Sequence, residues 1–586
     1  MGAYKPRMLR LIGRKADGWL PSLPYLQPGD LAAGNATIDD AARGAGRDPG
    51  EIRRMLNIAG SFSARNGGIL RGPADQWVRE LLPLVLDDGV GTFVLMADDP
   101  AVMQQFAEEV APALREAVAT ERARRGTTEP QRRTSIALAR RRDGIDYDGL
   151  PASLASAAIE PGDFGYARVR STYLRGGAPG LVLPVHDTAE VVDAVRFASG
   201  QPVPLAVRSG GHGISGRSTN DGGIVIDLSA MNSIEILDPV ARRVRIEPGA
   251  RWKDVAAALQ PHGWALSSGD YGGVGVGGLA TAGGIGWLVR EHGLTIDHVR
   301  AVEIVLADGT VVHASSEENA ELFWAARGAG ANFGIVTSFE FEVDEIGDVG
   351  WAQLAFDASD TADFLERWGS TIENAPRDVT SFVILGAPRG GRSVAQMMAM
   401  VDSDDPDTII ERLQPFADAG PLLDQSVQLT TYAAAMANSQ DAPHEGQGEP
   451  NARSALVEHL TPEFAEAAAE LLASGDVYFF QVRSVGGAVN DVAPDASAYA
   501  HRAANFSVAA FGANRHRLDA AWDRLRSHST GLYLSFESDD RPERIDDAFP
   551  PATLARLREL KVQLDPENLF RDNFSVALGE STAVTG

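Results

Sequence analysis

The chain contains no cysteine. Disulfides, thiolate nucleophiles, zinc–thiolate sites and iron–sulfur clusters are therefore excluded. At 586 residues it is long enough to bury cores that need no covalent staple. Positive charge is also scarce: 53 Lys and Arg against 80 Asp and Glu leave a formal net charge of −27. A phosphate backbone needs a basic face, so a nucleic-acid partner is disfavoured, and an anionic membrane surface for the same reason. No stretch approaches the roughly 18 consecutive apolar residues of a membrane span. The opening MGAYKPR lacks the apolar core of a secretory leader. These absences predict a cytoplasmic protein with a small-molecule partner, no membrane contact and no resident metal.

Glycine, by contrast, is plentiful at 61 residues and is concentrated in places. Residues 1–120 read as helix-rich, with short helices over 39–45 and 48–55, longer ones over 77–86 and 99–119, and a strand at 92–96. The charged, poorly periodic stretch 121–150 reads as a linker. Short β runs alternating with helices follow. Leu181–Val185 is a strand, and Asp187 caps a helix that stops at Gly200. Pro204–Val207, Ile224–Ile226, Val244–Ile246 and Ile335–Val343 are further strands, and Asp308-Gly309 marks a hairpin. An α+β texture without glycine motifs fills 349–540, and a tail occupies 541–586.

Two glycine loops carry the chemical signal. Arg208-Ser-Gly-Gly-His-Gly213 directly follows a strand. Adjacent glycines let successive backbone N–H groups converge on an anion without a positive side chain, which suits an acidic protein. The second loop runs Gly272-Gly-Val-Gly-Val-Gly-Gly278, followed by Gly283-Gly-Ile-Gly286. That density costs backbone entropy and implies a flat ligand pressed against main chain. The spacing Gly273, Gly275, Gly278 imitates a dinucleotide fingerprint, but the βαβ setting is missing and a Rossmann assignment is rejected.

These loops are found in a wider set of motifs. Arg208–His212, Gly223-Ile-Val-Ile-Asp-Leu-Ser229, Val274–Gly278, Gly283–Trp287, Gly293-Leu-Thr-Ile-Asp297, Leu322-Phe-Trp324, Asn332–Thr337 and Asp565–Arg571 occur in that order. Together they resemble the berberine-bridge-enzyme-like branch of the vanillyl-alcohol-oxidase flavoproteins. The resemblance implies an α+β fold, with a two-part FAD-binding domain over 151–348 that the tail 541–586 rejoins, and a substrate domain over 349–540. It implies FAD held by Arg208, Ser209, Gly210, Gly211, Gly213, Ser218, Tyr271, Gly272, Val274, Gly275, Gly278, Gly284, Gly286, Ile335, Val336 and Asn573. The family's loop histidine bonds the flavin's 8α-methyl carbon, and His212 matches it. Many members add a second bond from a cysteine where this chain has Tyr271, so a single covalent link is expected. Tyr271 is left to stack on the ring, line the pocket or simply fill space.

The resemblance also implies hydride removal from a hydroxyl- or amine-bearing small molecule, a sugar or a secondary metabolite. Such oxidation needs a base for the O–H or N–H proton. The family's usual base falls at Phe536, in Tyr533-Leu-Ser-Phe536, which cannot serve. Tyr533, Tyr478, Gln481, Arg483 and Tyr271 are the catalytic candidates, with Asp491 and His501 behind them. Alternation places Gln481 and Arg483 on one strand face and Tyr478 on the other. Val274, where bulkier residues block oxygen, points to O2 as acceptor and hydrogen peroxide as product. A dehydrogenase, a flavin oxygenase and a non-catalytic flavin-binding relic are the alternatives.

Residues 1–120 resemble the end of a luciferase-like monooxygenase, in Pro6–Trp19, Asp98-Asp-Pro100 and Phe106–Pro112. Such (β/α)8 barrels need roughly 250 residues to close. A partial barrel forms no cofactor mouth, so no second catalytic centre is expected, and its apolar faces must be covered by the oxidase body or a homo-oligomer contact.

Overall fold

The computed structural model describes residues 2–63, 65–125, 135–163, 165–437, 444–446, 448–571 and 574–577. The chain divides into two compact units, Met1–Arg140 and Arg141–Gly586.

In the first unit, strands Gly18–Trp19, Arg53–Ile58 and Thr92–Leu95 form a parallel sheet in chain order. Helices Asp30–Arg43 and Ala74–Leu86 make the two crossovers. This is a β-α-β-α-β run of the kind from which α/β barrels are built. Trp19, Ile38, Leu56, Ile58, Trp77 and Leu81 bury its core, and Trp77 stacks on Phe62 with centroids 4.8 Å apart. Two expectations change here. The helix expected over 39–45 is the end of Asp30–Arg43, and 48–55 is a short turn, Pro49–Glu51, leading into the central strand. Asp48 does cap that turn, but β-branched and apolar residues behind it favour the buried sheet. The expected linker is also shorter: the helix Ala111–Arg125 runs into it, while Ile145 and Tyr147 belong to a core of the second unit.

The second unit begins with a parallel sheet ordered Leu181–Pro184, Ile224–Asp227, Leu205–Arg208. Its strands are nearly continuous apolar runs because both faces are covered. Helix Thr188–Ser199 starts where the Asp187 carboxylate accepts the Glu190 N–H. An antiparallel sheet follows, ordered Val311–Ser315, Val299–Val305, Ile335–Glu342, Arg243–Ile246, Ile234–Asp238. The largest sheet has seven strands, ordered Leu422–Thr431, Asp348–Asp357, Val394–Val401, Val379–Leu385, Val477–Ser484, Phe506–Gly512, Ala452–Val457. Helices Thr361–Asn374, Pro462–Ala473 and Arg515–Arg526 pack on one face, over Phe480, Val482 and Val508. The other face turns toward the glycine loops.

The tail returns to the first part of this unit. From helix Pro551–Leu564, the buried Lys561 ammonium donates to the Asn332 and Phe570 carbonyls and pairs with Asp565 at 2.7 Å. Asn332 in turn accepts the Val576 N–H. The motif around Asp565 is therefore a clasp that closes the chain end onto the Asn332 loop. Asn573 lies outside the described residues.

Candidate active site

The two glycine loops meet back to back. A Cβ on Gly210 would stand 2.4 Å from the Gly275 nitrogen, and one on Gly275 would stand 2.4 Å from the Gly210 nitrogen. No side chain fits there, which is why both positions are glycine. The Arg251 guanidinium ties the loops together by donating from Nη1 to the carbonyls of Gly210, at 2.5 Å, and Gly273, at 2.7 Å. The Ser209 hydroxyl donates to the Pro248 carbonyl.

Beneath the loops lies a cavity of about 900 Å³, ample for a large flat ligand. Ser209 to Gly213, Gly272, Val274, Gly275, Gly278, Ile335 and Val336 line one side. A Cβ on Gly278 would point into open space. The Ser218 hydroxyl reaches the cavity buried and without a hydrogen-bond partner, the state of a polar group waiting for a ligand. Converging backbone, an orphaned hydroxyl and a flat apolar volume fit FAD.

His212 projects into this space. Its ring lies 4.4 Å from His444 and is perpendicular to it, with Tyr173 at 5.3 Å and Tyr271 at 5.4 Å. Burial, reinforced by His444 and Arg251, lowers its pKa to about 3, so at neutral pH the ring is uncharged and keeps a lone pair for bonding.

The opposite wall comes from the large sheet. Gln481 and Arg483 share the cavity face, as alternation requires. Arg483 is 1% exposed, donates to Ser507 at 3.0 Å and lies 4.1 Å above the Phe536 ring. Its Nε has no partner. Tyr478 also reaches the cavity, against the alternation, because a bulge between Val477 and Phe479 turns it to the rim. Tyr533 is buried under the loop of Gly283, and its oxygen accepts the Gly284 N–H at 3.0 Å.

Several expected residues are placed elsewhere. Arg208 does not line the cavity; its guanidinium turns inward to Asp227, at 2.6 Å, and to the Val169 carbonyl. A buried cation needs such a partner, so the first arginine of the motif anchors the strand. Gly284 and Gly286 do not line the cavity either. A Cβ on Gly284 would strike Thr295 at 2.0 Å, and one on Gly286 would strike the Ser268 carbonyl at 2.2 Å. They are glycines for packing. Asp491 is an exposed partner of Arg377, and His501 bonds the Ala548 carbonyl.

The structure adds residues that no motif marked. Asp270 is the one carboxylate among the described residues lining the cavity. It accepts from Gln481 at 3.4 Å and faces Arg483 at 4.0 Å. Its backbone is held on both sides by close approach: Gly286 presses against Ser268 and Gly269, and a Cβ on Gly272 would meet the Met436 carbonyl at 1.8 Å. Asp270 preceding a glycine loop looks like a turn residue in sequence, so only the fold reveals it. His444 and Tyr173 could not be linked to His212 by any local pattern.

Glycine loops converging over a flat cavity, faced by a wall tipped with Gln481 and Arg483, suit an FAD-dependent oxidoreductase. A family model described as "FAD binding domain" matches residues 179–315. The chain is 29% identical over 459 residues to (R)-6-hydroxynicotine oxidase of Paenarthrobacter nicotinovorans, covering 73% of this chain and 97% of that protein. Among solved structures it resembles Physcomitrella patens BBE-like 1, with TM-score 0.66, 22% identity, and 72% and 97% of the two chains covered. It also resembles glucooligosaccharide oxidase of Acremonium strictum, whose FAD is described as 6-S-cysteinyl, 8α-N1-histidyl, with TM-score 0.64, 22% identity, and 73% and 98% covered. The chain is an FAD-linked oxidoreductase with the fold of the vanillyl-alcohol-oxidase-type, berberine-bridge-enzyme-like enzymes. Among the described residues no helix is long and apolar enough to cross a membrane.

Proposed function

We propose that the chain is an oxidase that carries FAD on a single covalent link from His212. It removes hydride from a carbon bearing a hydroxyl or an amine on a small molecule and passes the electrons to O2. The observation that carries this reading is the His212 ring standing in the cavity where the two glycine loops converge.

FAD, when bound, supplies a two-electron acceptor of fixed position. The Ser209–Gly213 backbone and the Ser218 hydroxyl hold its polar end, while Val274, Gly275, Ile335 and Val336 leave a flat apolar slot. Tyr271 takes the place from which a cysteine would make a second link. A phenol is a poor nucleophile there, so it lines the slot. Gln481 and Arg483 orient the polar end of the substrate, and the free Nε of Arg483 offers a donor. Asp270 accepts the substrate's O–H or N–H proton. Phe536, lying under Arg483, cannot, and the Tyr533 oxygen is occupied in accepting the Gly284 N–H. Tyr533 positions the loop beneath the substrate. Val274 leaves room for O2.

The named relatives bracket the substrate class, since one is a hydroxynicotine oxidase and another a glucooligosaccharide oxidase. The deciding measurement is intact mass after acid denaturation, with peptide mapping. One FAD on the His212 peptide, abolished by His212→Ala, is expected; FAD released free, or attached at Tyr271, overturns the reading. Oxygen consumption with stoichiometric peroxide then checks the acceptor.

A further inference from the structure

The seven-stranded sheet has one open edge. Strand Leu422–Thr431 lies on the outer side of Asp348–Asp357, and among the described residues no strand pairs beyond it. Its first eight residues are exposed, apolar ones included: Leu423, Val427 and Leu429 are 57, 47 and 48% exposed. Ile410 adds another exposed apolar side chain on helix Pro406–Leu413, whose Ile409 covers Gly350 beside Leu429. The chain as a whole is 23% charged, yet Asp424 is the single charge in this ten-residue strand. Natural sheets guard such edges with lysine, proline, bulges or a covering element. The strand holds neither lysine nor proline, and the bulge between Ala355 and Phe356 falls past Asp424, at one end. From Thr431 back to Asp424 the ladder is regular. A long, regular, apolar edge is a template for another strand.

The occupant follows from the strand's own pattern. Val427 and Leu429 lie opposite Ala352 and Gly350, on the face that helices cover elsewhere, whereas Ser426 and Gln428 lie opposite Gln353 and Trp351, on the cavity face. The Gln425 N–H is taken by the Asp424 carboxylate at 2.9 Å instead of by a neighbouring strand. This marks the odd-numbered residues as those whose backbone groups face outward. A second copy, related by a two-fold axis through Val427, satisfies both patterns at once. Antiparallel pairing sets Val427 against Val427, Gln425 against Leu429 and Asp424 against Thr430. Outward backbone groups then meet their counterparts, and the apolar sides of both strands fall on one face. The two Asp424 carboxylates do not oppose each other, which like charges across a ladder would resist. A shift of one residue would set apolar side chains against polar ones. A basic peptide, the other partner an acidic chain attracts, would find a single carboxylate here.

We propose that the chain forms a two-fold dimer by pairing Leu422–Thr431 with the same strand of a second copy, joining two seven-stranded sheets edge to edge. The next strand inward, Asp348–Asp357, carries Trp351 and Gln353 into the cavity. The contact therefore braces the cavity wall of each subunit. Each subunit has a net charge of −27, so general repulsion opposes association, and a strand with one charge is where close approach costs least. Salt screens that repulsion, and the dimer tightens as ionic strength rises.

The test uses the full chain as produced, followed by analytical ultracentrifugation and hydrogen exchange over a range of protein concentrations. The parent is expected to sediment as a dimer at micromolar concentration, with amides of 422–431 better protected than in dilute protein. Val427→Lys and Val427→Glu each set like charges face to face across the axis and should raise the dissociation constant about a hundredfold. Mixing the two variants sets Lys against Glu and should restore dimers containing one of each chain. Val427 is exposed in the single subunit, so unfolding midpoint and flavin content should match the parent. Leu429→Thr removes apolar area while keeping a strand former, and should weaken the dimer about tenfold; it serves if a charged variant folds poorly. A parent that stays monomeric overturns the proposal. A dimer that all three variants leave intact also overturns it, since the contact then lies elsewhere. Dimers lost in both charged variants and not recovered on mixing overturn the two-fold register through Val427.

Discussion

At the scale of single residues, the site is decided by what cannot be present. Gly210 and Gly275 pack nitrogen to Cα so closely that an added Cβ would fall 2.4 Å from a backbone nitrogen. Gly275→Ala should push the loops apart, cost about 1–3 kcal/mol as overpacking does, and yield protein depleted in FAD, read by the ratio of flavin to protein absorbance. Tyr533→Phe leaves the buried Gly284 N–H without its acceptor, a loss of about 1–3 kcal/mol, visible as a lower unfolding midpoint. Asp270→Asn keeps volume and hydrogen bonding but removes the proton acceptor. With a substrate in hand it should lower kcat by about 10²–10⁴, with substrate binding little changed.

At the scale of elements, buried ion pairs fix segments that carry site residues. The stretch after Tyr533 is pinned by Glu537 and Asp539, both 0% exposed, against Arg453 and Arg544, each 1% exposed. Removing one partner strands a buried charge. Arg544→Met should therefore cost about 3–5 kcal/mol and loosen the Tyr533–Phe536 wall, seen as faster hydrogen exchange there. His292 joins two other elements, at 2.8 Å from Asp402 after strand Val394–Val401 and 3.3 Å from Asp344. Burial opposes its charge, but hydrogen bonds to the two carboxylates outweigh it and push the pKa up to about 10. A raised pKa means the stabilisation is complete below the ordinary histidine value and is lost as pH rises through about 10. The unfolding midpoint should fall across that range, and His292→Gln should flatten the fall.

At the scale of the molecule, the two units have separate cores. The first carries three parallel strands of a barrel-like run, and the glycine loops, cavity and clasp all lie in the second. Residues 141–586 alone should bind one FAD with the affinity of the full chain, and residues 1–140 should show no saturable binding of flavin or deazaflavin by calorimetry. Saturable binding by the shorter piece would show a second cofactor site.

How much of this was legible in the sequence follows the range of each interaction. Strand, turn and loop signals such as Asp187, Asp308-Gly309 and the two glycine runs are local, and neighbouring residues alone suffice to mark the FAD clamp and the lack of a thiol tether. Alternation along Val477–Ser484 places Gln481 and Arg483 on the cavity face correctly, yet the bulge at Tyr478 depends on the neighbouring strand and is not written locally. Arg208, Gly284 and Gly286 carry the right motif letters but serve packing, because their partners Asp227, Thr295 and Ser268 stand elsewhere in the chain. Local sequence marks FAD as the cofactor class and offers His212 as the proposed tether, because both signals lie within single loops. Which groups surround that histidine, and which carboxylate reaches the cavity, is settled by packing between distant segments. His444 and Asp270 act across more than 200 residues, to Gly210 and Gln481, and separations of that length are closed by packing rather than by pattern.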